Sequence, residues 1–415
     1  MPRLLGRALA GFLLIVSAAH AQTALTWEQV RERFRNNNPN LVASRVAVEE
    51  SKAQEITAYL RPNPEATATL DQIDPFTPDP YRPLGNTLPF LSGSYLHERE
   101  HKRELRRDSA RGATAIASSA LEDQDRTLLF NLRSAFVGIL HAKEIRQLAQ
   151  DNLTYYDRVL EVNRTRHQAG DISEVDLGRL ELQRVQYESD LQNAEVSLRT
   201  AKIQLLSLLN ERTPIEQFDV NGKFDFSEQP MPLEEFRAAA LDARPDLRAA
   251  LQAVSKSQTD HRLAIANGSA DPTFGVDFGR NPPVPAYFGV SVTIPVRVFD
   301  RNQGEKMRTE LDVTRNQALV TAGRAQVFSD VDSAYATIAG NIALLRPYKD
   351  KYLAQAAKVR DTVSFAYQNG GASLLDFLSA QNDYRNIQLS YLNLVGSYMI
   401  AAGQMNLAVG REVIP

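Results

Sequence analysis

The sequence predicts a mainly helical chain with a small β component, built from two similar halves that each hold a long antiparallel helical hairpin and a pair of strands. Three observations predict it: an internal repeat, sustained heptad seams, and short segments of alternating hydropathy. The repeat is seen twice. Asn38-Pro39-Asn40-Leu41-Val42-Ala43 answers Arg244-Pro245-Asp246-Leu247-Arg248-Ala249, and Gln168-x-Gly170-x-x-Ser173-x-x-Asp176 answers Gln368-x-Gly370-x-x-Ser373-x-x-Asp376.

At the N-terminus, Arg3 and Arg7 precede an apolar stretch from Ala8 to Ala19, and Ala19-His20-Ala21 supplies a small-x-small cleavage pattern. Residues 1–21 therefore read as a secretory signal peptide, too short to span a bilayer as a helix. The remainder carries 45 basic and 50 acidic residues, a net −5 that argues against a nucleic-acid partner. No Cys occurs, which excludes disulfides, thiol catalysis and Cys-based metal sites. Beyond the signal no apolar run reaches 18 residues, so any entry into a membrane must be made by strands.

The helices follow from periodicity. One seam runs Leu177, Leu180, Arg184, Tyr187, Leu191, Ala194, Leu198, Ala201, Leu205, Leu208; the other runs Phe377, Ala380, Tyr384, Ile387, Tyr391, Leu394, Tyr398, Ala401, Met405, Ala408. Alternating 3-4 spacing over four heptads is a coiled-coil signal, and only Arg184 interrupts it. No Pro occurs between Pro89 and Pro214, so the outgoing helix from Glu98 to Gln168 covers about 70 residues, on the order of 100 Å. Its counterpart from Asp300 to Gln368 contains Pro347, where a kink or break is expected.

The strands follow from period-two alternation. Phe288, Val290, Val292, Ile294, Val296 and Val298 alternate with Gly289, Ser291, Thr293, Pro295 and Arg297, and Phe274, Val276 and Phe278 with Gly275, Asp277 and Gly279. Weaker counterparts occur in the first half, with Pro-rich turns joining each pair. About ten alternating residues is the length of a membrane-spanning strand, although a soluble sandwich would look alike. The resulting division is a signal peptide at 1–21 and a first repeat at 22–210, with strands at about 65–73 and 88–97 and a hairpin at 98–210. A linker at 211–236 leads to a second repeat at 237–410, with strands at about 273–280 and 286–298 and a hairpin at 300–409. A tail at 411–415 ends the chain.

If the strands lie in lipid, four of them cannot close, and an open edge leaves backbone groups unpaired in hydrocarbon. An open lumen needs more than about eight strands. Three chains supply twelve, although geometry alone would also accept four chains.

The combination of signal, duplicated halves, strand pairs and Gly-tipped hairpins resembles the TolC-like outer-membrane efflux proteins over essentially the whole mature chain. The stretch from Val292 to Glu305, VTIPVRVFDRNQGE, is similar to the strand-to-helix junction of the heavy-metal efflux subgroup. The resemblance implies a homotrimer with a shared twelve-stranded β-barrel in outer-membrane lipid and a helical barrel crossing the periplasm. It also implies a periplasmic adaptor (membrane fusion protein) and an inner-membrane pump of the resistance-nodulation-division type, with substrate choice left mostly to the pump. The first-half junction, His97 to Arg107, lacks the Gly-Gly-Lys-Arg character of metal-pump relatives. Ser379 stands where relatives often carry an acid, and Ala372 where some carry Arg.

Transport through such a conduit needs no catalytic, cofactor or metal residues. Asp176 and Asp376 lie six residues past the tip glycines, so three chains would bring about six carboxylates to one constriction, which favours cations. The alternative is that each Asp only caps its helix. Tyr367 matches a family position that ties neighbouring hairpins in the closed state, and its expected bond is to Asp176. Gly170, Ser173, Gly370 and Ser373 are the expected adaptor-facing tips: Gly permits the reversal and Ser caps the returning helix. Two rival classes are a periplasmic adaptor, which predicts one hairpin flanked by compact β domains, and a zinc protease, suggested by the H-E-x-x-H pattern His97-Glu98-Arg99-Glu100-His101. The second needs a helix, a third ligand and a cleft.

Overall fold

The computed structural model describes residues 24–73, 75, 76, 84, 86–227 and 232–414. The signal segment at 1–21 and most of the Pro-rich turn before Pro89 lie outside the described residues. Nine α-helices and four strands occur in the order α1 (Trp27–Asn37), α2 (Pro39–Tyr59), β1 (Glu65–Asp71), β2 (Leu88–Leu96), α3 (Lys102–Gln168), α4 (Glu174–Leu209), α5 (Leu233–Ala243), α6 (Pro245–Asn267), β3 (Thr273–Asn281), β4 (Val284–Thr293), α7 (Gln303–Pro347), α8 (Leu353–Gln368) and α9 (Leu374–Val409) among the described residues. The chain divides into two compact units. One holds the chain up to Phe34 with Gly138–Phe224; the other holds Arg35–Val137 with Asp225 onward.

In the first unit the lower part of α3 returns as α4. The expected seam is buried at Leu180, Tyr187, Leu191, Ala194 and Leu205, then passes to Leu206 and Leu209, because a 3.6-residue helix drifts away from a strict heptad. Tyr156 is fully buried; its hydroxyl donates to the Leu180 carbonyl at 3.1 Å and its ring lies 4.7 Å from that of Tyr187. Arg184, the polar member of the seam, turns aside to Asp157 at 2.6 Å and Glu188 at 3.1 Å. Its head thus stays wet while the helix keeps packing. The linker closes this unit: Leu25 and Val220 form a parallel bridge, and Lys143 and Lys202 both reach Asp219.

In the second unit α9 packs on α7 and α8, burying Phe377, Ala380, Tyr398, Ala401, Met405 and Ala408 of the expected seam. The Asn38-Pro39 and Arg244-Pro245 repeat marks two helix starts with Pro at the first helical position, where its missing N–H costs nothing. The two starts differ in use. The Asn38 side chain accepts from the Asn40 and Leu41 N–H groups. Arg244, 5% exposed, instead pairs with Asp246 and Asp330, each at 2.6 Å, and donates to the Ala408 carbonyl. Arg126 donates to the neighbouring Leu407 carbonyl. Two arginines thus satisfy carbonyls that the end of α9 leaves free, with favourable charge for its dipole.

Several boundaries depart from expectation. The α3 helix starts at Lys102, not Glu98, because Glu100 and His101 adopt positive φ in a turn. β4 ends at Thr293 rather than Val298: Pro295 has no N–H to give, and β3, its partner, begins opposite Thr293. The linker ends earlier than 236, since α5 starts at Leu233. At Pro347 the helix neither breaks nor stops; a π-helical turn, Tyr348–Tyr352, carries it into α8. A wider turn accommodates the missing N–H and the ring's clash with the Ala343 carbonyl. Two hairpins and a single sheet, with no flanking compact β domain among the described residues, also speak against the adaptor architecture.

Arg244→Ala should therefore leave Asp330 without its cation, Asp246 with only the more distant Arg126 at 3.7 Å, and the Ala408 carbonyl free. We expect a loss of about 3 kcal/mol, the low end for breaking a buried pair because both aspartates retain some water. It is read as a lower unfolding midpoint in detergent; an unchanged midpoint would show that Arg244 is dispensable.

Candidate functional site

The strands form one antiparallel sheet in the order β1-β2-β3-β4, so β1 and β4 are both open edges. Cross-strand partners share a face, and the register sorts most of the side chains by polarity, Phe90 and Tyr287 being aromatic exceptions on the second face. One face carries the rows Ala68, Leu91, Phe278, Phe288 and Ala66, Gly93, Val276, Val290 and, on the last three strands, Tyr95, Phe274, Val292. The other carries Thr67, Ser92, Asp277, Gly289 and Glu65, Ser94, Gly275, Ser291. The apolar face is uncovered: Phe288 is 69% exposed and Val290 75%. A water-facing apolar sheet with two unpaired edges invites pairing or burial. Among the described residues no helix is long and apolar enough to cross a membrane.

At the other end of each hairpin the two tips repeat one local construction. Helix α3 closes with Gly170 at φ +84, whose N–H bonds to the His167 carbonyl while the Asp171 N–H bonds to Arg166. Helix α8 closes with Gly370 at φ +75, the Gly370 N–H bonding to Tyr367 and the Gly371 N–H to Ala366. Both are Schellman closures, which need a residue free to adopt the left-handed conformation. Ser173 and Ser373 then cap α4 and α9, their hydroxyls accepting from the Asp176 and Asp376 N–H groups, each at 3.1 Å. Each hydroxyl donates in turn to the Oδ2 of its Asp, at 2.9 and 2.6 Å. At the second tip the Ser373 N–H also donates to Asp376, completing a capping box.

The capping role considered for Asp176 and Asp376 is therefore present, and it does not exhaust either group. A carboxylate offers about four acceptor sites, and the cap engages Oδ2 in each case. The hydrogen bonds from the Ser373 hydroxyl and backbone hold the Asp376 carboxyl below its ordinary value. Tyr367 is 7% exposed, its ring stacked 4.9 Å from Phe377 within its own hairpin.

The H-E-x-x-H pattern lacks its scaffold. His97 follows β2 and donates its backbone N–H to Pro272, while Glu100 and His101 form the turn before α3. The two imidazoles thus do not share a helical face, and Glu98 is engaged by Arg106. Among the described residues no group of three or more His, Cys, Asp or Glu is placed to hold a metal.

Ser173→Ala removes the acceptor for the Asp176 N–H and should cost about 1 kcal/mol locally, read as faster amide exchange at the first tip. The Asp376 contribution runs the other way with acid: a depressed carboxyl stabilises fully above the ordinary aspartate range and loses its effect as pH falls through the lowered folded value. Amide exchange at the second tip should therefore speed up, relative to an Asp376→Asn variant, only on strong acidification.

No protein-family model matches the chain. It is 25% identical over 366 residues to the cobalt-zinc-cadmium resistance protein CzcC of Cupriavidus metallidurans, covering 86% of this chain and 83% of that one. The outer membrane efflux protein BepC of Brucella suis is 23% identical over 409 residues, covering 92% and 84%. The open-state structure of the MtrE outer membrane channel of Neisseria gonorrhoeae superposes with a TM-score of 0.76 at 17% identity, covering 93% of this chain and 89% of that chain, a likeness of fold. With duplicated hairpins and one open amphipathic sheet, the chain is similar in sequence and in fold to outer-membrane efflux proteins along most of its length.

Proposed function

We propose that three copies pool their sheets into a twelve-stranded barrel in the outer membrane and continue it into the periplasm as a tube of hairpins. The observation that carries this is the uncovered apolar face between two open edges. Lipid covers such a face, and only closure pairs the edges. The tube is a passive conduit for an inner-membrane pump, joined through a periplasmic adaptor that meets the tips at Gly170, Ser173, Gly370 and Ser373.

Cations are the cargo that the charge pattern favours. The polar face of the sheet, which lines the lumen in this reading, has Glu65, Asp71 and Asp277 as charged members, and the tips add Asp176 and Asp376. Rings of carboxylates in a narrow pore attract cations and repel anions. The relative named for cobalt, zinc and cadmium resistance points to divalent metals within that class. At rest, a Tyr367 hydroxyl donating to an Asp176 carboxylate ties neighbouring hairpins of the tube, using acceptor capacity that the Ser173 cap leaves over. Ala372, in place of an arginine, makes this a light lock.

Purified chain in planar bilayers should give discrete, cation-preferring conductance, and Tyr367→Phe should raise it. A chain that stays monomeric and leaves bilayers silent would sink the channel; an unchanged conductance in Tyr367→Phe would sink the lock alone.

A further inference from the structure

Closing a barrel demands more than pairing one edge with another. Strands in closed barrels tilt by about 35–45° and their register must slip on going round. Four steps of about 4.8 Å, taken at that tilt and divided by about 3.3 Å per residue, give a slip of about four to six residues for each subunit. Within one chain Glu65, Ser94, Gly275 and Ser291 lie at one level. The next copy's Glu65 must therefore sit opposite a residue four to six positions away from Ser291.

The chain has spare strand in one direction only. Slipping towards the start of β4 would bring Glu65 opposite Tyr287 or Pro285, and the end of β1, from Thr69 or from Thr67 onward, would pass beyond Val284 with nothing to pair. Towards its end, Ile294, Val296 and Val298 continue the sequence alternation of β4, at 55%, 84% and 57% exposure, with no strand beside them among the described residues; the Val298 N–H turns back to the Val296 carbonyl, a bend that pairing would have to open. At a slip of six, Glu65 falls opposite Arg297. The Arg297 Nε is buried without a hydrogen-bond partner, and Glu65 is exposed. At a slip of four, Glu65 would instead face Pro295.

We propose that residues 294–298 are the docking strand for β1 of the next copy, in a register that pairs Glu65 with Arg297, Ala66 with Val296, and Ala68 with Ile294. This rests on the shared-barrel reading and adds to it the line along which the copies join. Apolar partners meet on the lipid side, and opposite charges directly across an antiparallel pair stabilise it. The pair also offers the unsatisfied Arg297 Nε an acceptor at the periplasmic rim of the barrel.

The chain has no cysteine, so engineered thiols report without background. Residues directly opposite in an antiparallel pair have Cα atoms about 4.5–5.5 Å apart, within disulfide range. Ala66→Cys with Val296→Cys, oxidised in native membranes, should give a reducible ladder up to three chains, and neither single variant should. A ladder from Ala66→Cys with Ile294→Cys, or with Val290→Cys, in place of the first would overturn the register while leaving the common barrel intact. So would the absence of any ladder in a protein that still conducts. A monomeric, non-conducting parent chain would instead remove the barrel itself. As a second measurement, Glu65→Lys and Arg297→Glu should each lower the temperature at which the trimer dissociates, and the double variant should restore it. Singles without effect overturn the ion pair.

Discussion

The constraint on which the rest depends is that a peptide N–H or C=O cannot be left bare in hydrocarbon. Everything distinctive about the sheet follows from it. Four strands with one apolar face are too few to close, so the chain is incomplete as a membrane object by itself. The same requirement explains why the strand segments are short and alternating while the helices are long and heptad-patterned. In the proposed barrel the first face lipid on one side and water on the other, and the second pack on one another without lipid.

The helical part is held by a different economy. Side chains at 3-4 spacing bury a narrow stripe, and polar residues that fall in the stripe turn outward to partners, as Arg184 does towards Asp157. The ends of the helices receive specific treatment. Schellman glycines and capping serines close the tips, while Arg126 and Arg244 bind the last carbonyls of α9. The tips are made almost wholly by residues within ten positions of each other, so the same motif could be copied with the duplication and keep its shape.

That locality also explains what could be read from the sequence. The seams, the turn glycines, the serine caps and the alternating strands depend on near neighbours, and the linear pattern gave them with boundaries mostly within a few residues. The places that escaped depend on distant partners or on competition between local forces. Alternation carried the β4 expectation on to Val298, but a strand ends where its partner does. The charged run from Glu98 looked helical, yet a turn at Glu100 and His101 was needed to pass from sheet to helix. The H-E-x-x-H spacing only has meaning on a helix, and this segment is not one. Arg244 gave no sign of its role, because two of its partners, Asp330 and the Ala408 carbonyl, lie 86 and 164 residues away. The stacking of Tyr367 on Phe377 became visible only with α8 laid against α9.

The π turn at Tyr348–Tyr352 distinguishes the two halves in a further way. One surplus residue in a helix of 3.6 residues per turn rotates everything beyond it by about 100° about the axis. Helix α3, uninterrupted from Lys102 to Gln168, has no such phase jump. The duplicated tips therefore share a Schellman glycine and a serine cap but end stalks of different construction, one running straight through and one stepped in phase by the π turn.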